Sequence, residues 1–145
     1  MSRPTRLPVL ALAATAVFAA VLALAVGCGS SSPSPSAQVT KVWKQAAGAA
    51  VDGQGTTFCA LVTDAGKQKI TARTQLPCED SIRLLASRLS AADKAAMHSP
   101  KITKVTVSGD NATVTYATTP TLAALGFTGR TLLAKTGGHW MLTGI

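Results

Sequence analysis

The chain has 145 residues, a formal net charge of +8, 47% hydrophobic residues and only 4% aromatic ones. Its basic residues after the N-terminal segment are scattered from Lys41 to Lys135 without a dense block. Such a surface would favour anionic lipid or polymer nearby, but plain solvated charge is the preferred reading, and with aromatic stacking residues scarce and no nucleic-acid motif present no nucleic-acid partner is expected. Beyond the N-terminal segment, the chain is long enough for one small domain with a modest core.

Arg3 and Arg6 make a short positive head, and Val9 to Val26 is apolar or small throughout, with Thr15 its only hydroxyl. That is the layout of an export signal. A run of this length also matches the roughly 20 apolar residues that span a bilayer. Both readings leave the positive residues in the cytoplasm and put everything after Cys28 outside.

Leu24-Ala25-Val26-Gly27-Cys28, followed by a Gly/Ser/Pro tract from Gly29 to Ser36, resembles the lipobox of bacterial lipoproteins, with Ala25 where leucine is usual. The resemblance implies that residues 1–27 are a lipoprotein signal peptide, that the Cys28 sulfur receives a diacylglyceryl group, and that Cys28 becomes the N-terminus. The alternatives are an ordinary signal peptide with a chance cysteine, or a plain membrane helix. Each buried methylene contributes about 0.8 kcal/mol, and two chains suffice for stable anchoring. Residues 28–37 then form the lipidated cysteine and a Ser/Pro tether, reaching at most roughly 30 Å from the lipid.

The domain is expected over residues 38–145. Assigning Cys28 to lipid leaves Cys59 and Cys78 of the three cysteines as a disulfide pair. Val39, Val42, Trp43 and Ala46 fall at helical spacing, and Asp52-Gly53-Gln54-Gly55 ends that helix. Phe58, Leu61, Val62 and Ala65 predict a second helix carrying Cys59. Lys67 to Pro77 reads as polar and irregular, with a short strand near Ile70. A third helix starts after Pro77, with Glu79 and Asp80 complementing its dipole and Ile82, Leu85, Ala86 and Leu89 as its inner stripe. Ser90-Ala91-Ala92-Asp93 is a capping box opening a short helix that Ser99-Pro100 ends.

From Lys101 the period becomes two. Val105 and Val107 face one way, Lys104 and Thr106 the other, and Gly109-Asp110-Asn111 signals a hairpin returning through Ala112, Val114 and Tyr116. Leu122 to Leu125 caps one end of the sheet. A third strand is expected near Phe127 to Lys135, and Gly137-Gly138 turns the chain into a last strand, His139 to Thr143. The fold class is α+β, with N-terminal helices packed on a curved antiparallel sheet of about four strands.

Cys59-Ala60-Leu61 on a helix, Cys78-Glu79 opening the next, the Gly109 to Val114 hairpin and the terminal Gly137-Gly138-His139-Trp140 resemble small secreted actinobacterial lipoproteins of the nuclear transport factor 2-like, or cystatin-like, superfamily. The resemblance implies a cone of helices wrapped by the sheet, and a dimer through the open sheet face as one arrangement. It carries no catalytic residue over, because that scaffold hosts enzymes, ligand binders and interaction modules alike.

Trp43, Val114, Tyr116, Phe127, Trp140 and Leu142 are the candidates for lining a cavity in the cone, or for filling it. Tyr116, the only tyrosine, reads first as a packing residue. The aspartates fall at helix ends and turns, and His98 and His139 lack metal-spaced partners, so neither a metal site nor a cofactor is expected. The sequence thus favours a non-enzymatic, lipid-anchored protein on the outer face of the cell membrane, presenting an interaction domain to another envelope protein. The alternative is a carrier of a small apolar or lipid-like ligand in the cone, with an isomerase-like or hydratase-like enzyme as a distant variant.

Overall fold

Ser34 opens the domain. Its hydroxyl accepts the Ala37 amide at 3.2 Å and caps helix α1 (Pro35–Val51), whose leading proline sits where a missing N–H costs nothing. The tether expected to run to Ala37 therefore ends at Ser34, because cap and proline start the helix ahead of its apolar stripe. The computed structural model describes residues 32–144, and the signal segment 1–27 and Cys28 lie outside them. Ser32–Ile145 forms a compact unit with its own core.

α1 is the central helix and touches three helices and three strands. It buries Val39, Trp43, Ala46, Ala47, Ala49, Ala50 and Val51. Its alanines let α2 (Gly55–Ala60) and the helices α4 (Cys78–Arg88) and α5 (Ala91–His98) approach closely. At the start of α2, a Cβ on Gly55 would stand 2.7 Å from the Glu79 Cα, so only glycine permits this contact with α4. The contact brings Cys59 and Cys78 together. They form a disulfide with Cα atoms 6.2 Å apart, both cysteines buried.

The helix expected to continue from Phe58 to Ala65 is broken after Ala60. There the backbone swings to the end of the sheet. Leu61 accepts the Leu142 amide, and the Thr63 amide donates to the Leu142 carbonyl, both at 2.8 Å. Ala65, expected in the apolar stripe, is exposed. A new helix, α3 (Asp64–Thr74), begins at once, capped by the Thr63 hydroxyl on the Gly66 amide at 3.1 Å. This overturns the expected irregular stretch with a strand near Ile70. α3 buries only Gly66 and Ile70, so it carries no apolar stripe, and its signals are a cap, an acidic first turn and a basic last one.

α4 and α5 start as expected, Glu79 and Asp80 in the first turn of one, Ser90 capping the other by accepting the Asp93 amide at 3.1 Å. Asp93 is only 6% exposed. Its carboxylate accepts the Ser90 hydroxyl at 2.6 Å and the Thr119 hydroxyl at 2.9 Å. Thr119 in turn caps the short helix α6 (Pro120–Ala124) through the Leu122 amide. One buried carboxylate thus joins two helix caps. The Ser90 hydroxyl, then that of Thr119, holds the Asp93 carboxyl below its ordinary range against the opposing cost of burial.

The sheet is an open antiparallel meander, β1 (Ile102–Ser108), β2 (Asn111–Tyr116), β3 (Arg130–Thr136) and β4 (His139–Leu142), in sequential order. Ser108 pairs with Asn111 across Gly109-Asp110, and Gly109 adopts φ +56°, as a two-residue hairpin turn requires. Ala112, Val114, Tyr116, Thr131, Leu133, Trp140 and Leu142 make the buried inner face. β3 starts at Arg130 rather than near Phe127. Phe127 belongs to the loop closing α6, where its amide donates to the Leu122 carbonyl at 2.9 Å and its ring enters the core.

Candidate binding groove

All six side chains expected in the cone interior are buried, each at 5% exposure or less. Trp43 from α1 and Tyr116 from β2 meet with ring centroids 4.4 Å apart at a 41° tilt, a contact worth about 0.5–1.5 kcal/mol beyond its area. The Tyr116 hydroxyl accepts from Thr131 at 3.4 Å. Desolvation pushes the phenol above its ordinary pKa, with the Thr131 hydrogen bond acting the other way. Tyr116 therefore packs as a neutral core residue. Val114, Phe127 and Leu142 fill the same core.

Concave surface lies outside that core. A groove of about 420 Å³ runs between α3, α4 and the end of α6. Four-residue spacing puts Lys69, Ile70, Arg73 and Thr74 of α3 on one side of it. α4 supplies Ser81, Ile82, Leu85 and Arg88, and Ala124 at the end of α6 and Leu125 just after it complete the lining. Ile70 and Ile82 are buried in its floor, while Leu84 is 39% exposed at its edge.

The electrostatics of this groove are one-sided. Among the described residues, three cations line it and no carboxylate does. Of the acidic side chains on the two helices, Asp64 pairs with Lys67 at 3.1 Å, Asp80 pairs with Arg83 at 2.7 Å, and Glu79 lines a separate hollow with Gly53 and Arg83. Among the described residues, neither Arg73 nor Arg88 forms a salt bridge. Lys69 reaches the Thr143 carbonyl at 3.5 Å. Thr74 and Ser81 share a hydrogen bond of 2.6 Å, tying the end of α3 to the start of α4 and setting the groove's width at that end.

A second groove, about 560 Å³, lies along the N-terminal half of α1 and β4, with Val42, Leu61, Trp140 and Met141 among its walls. Trp140 is the single cone candidate on the wall of either groove. Sequence reasoning misses the α3–α4 groove because α3 lacks an apolar period and reads as irregular. Lys69 and Arg73, four apart after a threonine cap, are the available signal. It also misses that His98 and Asp52 meet at 2.9 Å, joining the ends of α5 and α1.

Asp52 ends α1, Asp64, Asp80 and Asp93 lie in first turns, and Asp110 lies in a hairpin. No three metal-ligating side chains gather among the described residues. No helix among them is long and apolar enough to cross a membrane. The chain matches no protein-family model, no curated protein and no solved structure.

Proposed function

We propose that this chain is a lipid-anchored extracytoplasmic protein presenting a small, non-enzymatic binding domain at the cell envelope, with the groove between α3 and α4 as its binding surface. The observation that carries the reading is the pairing of an apolar floor with cations that form no salt bridge among the described residues, beside a core filled by its own aromatic side chains. An open surface groove suits an interaction domain better than a buried reaction chamber. Helices ahead of an antiparallel meander support placing the domain in the nuclear transport factor 2-like superfamily, on element order alone.

The anchor is argued from Leu24 to Cys28 and from the cysteine count. With Cys59 and Cys78 paired, Cys28 is the cysteine left over. Because α1 is capped at Ser34, the link from Cys28 to that cap spans at most about 20 Å. The domain would therefore work close to the lipid surface. Fractionation of the host tests the anchor. Wild-type protein should sediment with membranes carrying an acyl-sized mass increase, and Cys28→Ser should be released or retained only with its signal uncleaved. Normal processing and acylation of Cys28→Ser would contradict the proposal.

A further inference from the structure

We infer that the groove between α3 and α4 binds a single-chain anionic amphiphile, its acyl chain on the apolar floor and its headgroup held by Arg73 and Arg88. This inference rests on the reading of that groove as the domain's binding surface.

The floor accounts for the chain. Ile70 of α3, Ile82 and Leu85 of α4 and Leu125 just past α6 line it with apolar surface, and the volume of about 420 Å³ lies in the range of small-molecule sites. A peptide strand would need backbone partners, and the groove walls offer few. The groove is made of helix faces whose backbone groups bond within the helices, and its two wall hydroxyls bond each other. An alkyl chain asks for no such partner.

The rim accounts for the headgroup. Arg73 and Arg88 flank the floor from opposite helices, and the Arg73 guanidinium lies over Gly126, just past α6, where a Cβ would stand 3.0 Å from its Nη1. Guanidinium groups match carboxylate and phosphate oxygens in planar, two-pronged hydrogen bonds. A cationic amphiphile would meet three like charges and a neutral one would leave them unused. Charge complementarity therefore selects an anion.

The test is a titration of ¹⁵N-labelled Ser32–Ile145, which carries its own core, with monomeric dodecyl phosphate below its micellar concentration. Dodecyltrimethylammonium, inorganic phosphate and anionic phosphatidylglycerol vesicles serve as parallel probes. The expected result is saturable shifts confined to α3, α4 and α6 with dodecyl phosphate, weakened at least about tenfold in Arg73→Gln/Arg88→Gln, the scale of losing charge-assisted hydrogen bonds. Arg73→Lys/Arg88→Lys should bind more weakly than the wild type but more tightly than the glutamine pair, because an ammonium keeps the charge and loses the two-pronged geometry, and added salt should weaken binding in both charged forms. Unchanged melting temperatures would show that the variants remain folded.

Equal shifts at the groove with the cationic amphiphile would overturn the anionic assignment while leaving the groove as a binding surface. Inorganic phosphate binding as tightly as dodecyl phosphate would overturn the amphiphile. Binding to vesicles without binding to the monomer would also overturn the inference in favour of membrane contact. Shifts elsewhere, or none with any probe, would overturn the groove reading itself.

Discussion

α3 and α4 are both eleven-residue helices, and they lie side by side with unequal shares in the core. α4 is firmly embedded. It buries Cys78, Ser81, Ile82 and Ala86, and the disulfide ties its first residue to α2. α3 buries one large side chain, Ile70, and is held at its ends by the Thr63 cap and by the left-handed Gln75 at φ 58°. A helix with so little apolar surface does not close over its neighbour, and the groove is what that leaves open. The proposed binding surface thus arises from an asymmetry in packing.

The contrast between the helices is sharpest in the buried side chain of α4. Ile82→Ala should cost about 2–5 kcal/mol, the usual range for truncating a fully buried isoleucine, read as a lower midpoint in urea unfolding. Removing the disulfide with Cys59→Ala/Cys78→Ala should cost about 3 kcal/mol, because it closes a loop between positions 19 apart. If either change destabilised only α4 in hydrogen exchange and left α1 and the sheet protected, the picture of α4 as core structure would fail.

A smaller effect is expected on α3. Thr63→Ala removes the cap and should cost about 1 kcal/mol. Its signature should be faster amide exchange confined to the first turns of α3 and the groove. Exchange rising across the whole domain would mean that α3 is as integral as α4.

These two helices also show how far the sequence can be read. α4 is legible because proline, acidic residues and an apolar stripe all point to one helix. The sheet is legible for the same reason, since Val105 and Val107, Ala112 and Val114, and the glycine turns agree on register. α3 is not, because its helix is written in end signals and cations rather than in hydrophobic period. The break at Leu61 to Thr63 is illegible as well, since its cause is a bridge to Leu142, far along the chain. Arg73 and Arg88 become neighbours across a groove only once both helices are placed. Trp43, Tyr116 and Phe127 stand out in the sequence by bulk, and bulk is what a packed core uses.

The pH dependence of stability should show the smallest effect, in slope rather than size. Because its carboxyl is held below the ordinary range, Asp93 contributes stability that is complete above the unfolded carboxylate pKa of about 4 and fades as pH falls through the lower folded value. Melting temperature against pH should therefore drop less steeply in acid for Asp93→Asn than for the wild type. Parallel acid limbs would show that the carboxylate linking the α5 and α6 caps stays uncharged or unbonded in solution.

The ligand is expected on the outer groove between α3 and α4 and not inside the sheet-covered core. Isotope-filtered nuclear Overhauser contacts from the methylenes of bound dodecyl phosphate to the labelled domain test it most directly. A ligand in the groove predicts contacts to Ile82, Leu85 and Leu125, and none to Val114 or Phe127. Contacts to Val114 and Phe127, with the groove silent, would contradict it and return the ligand to the core.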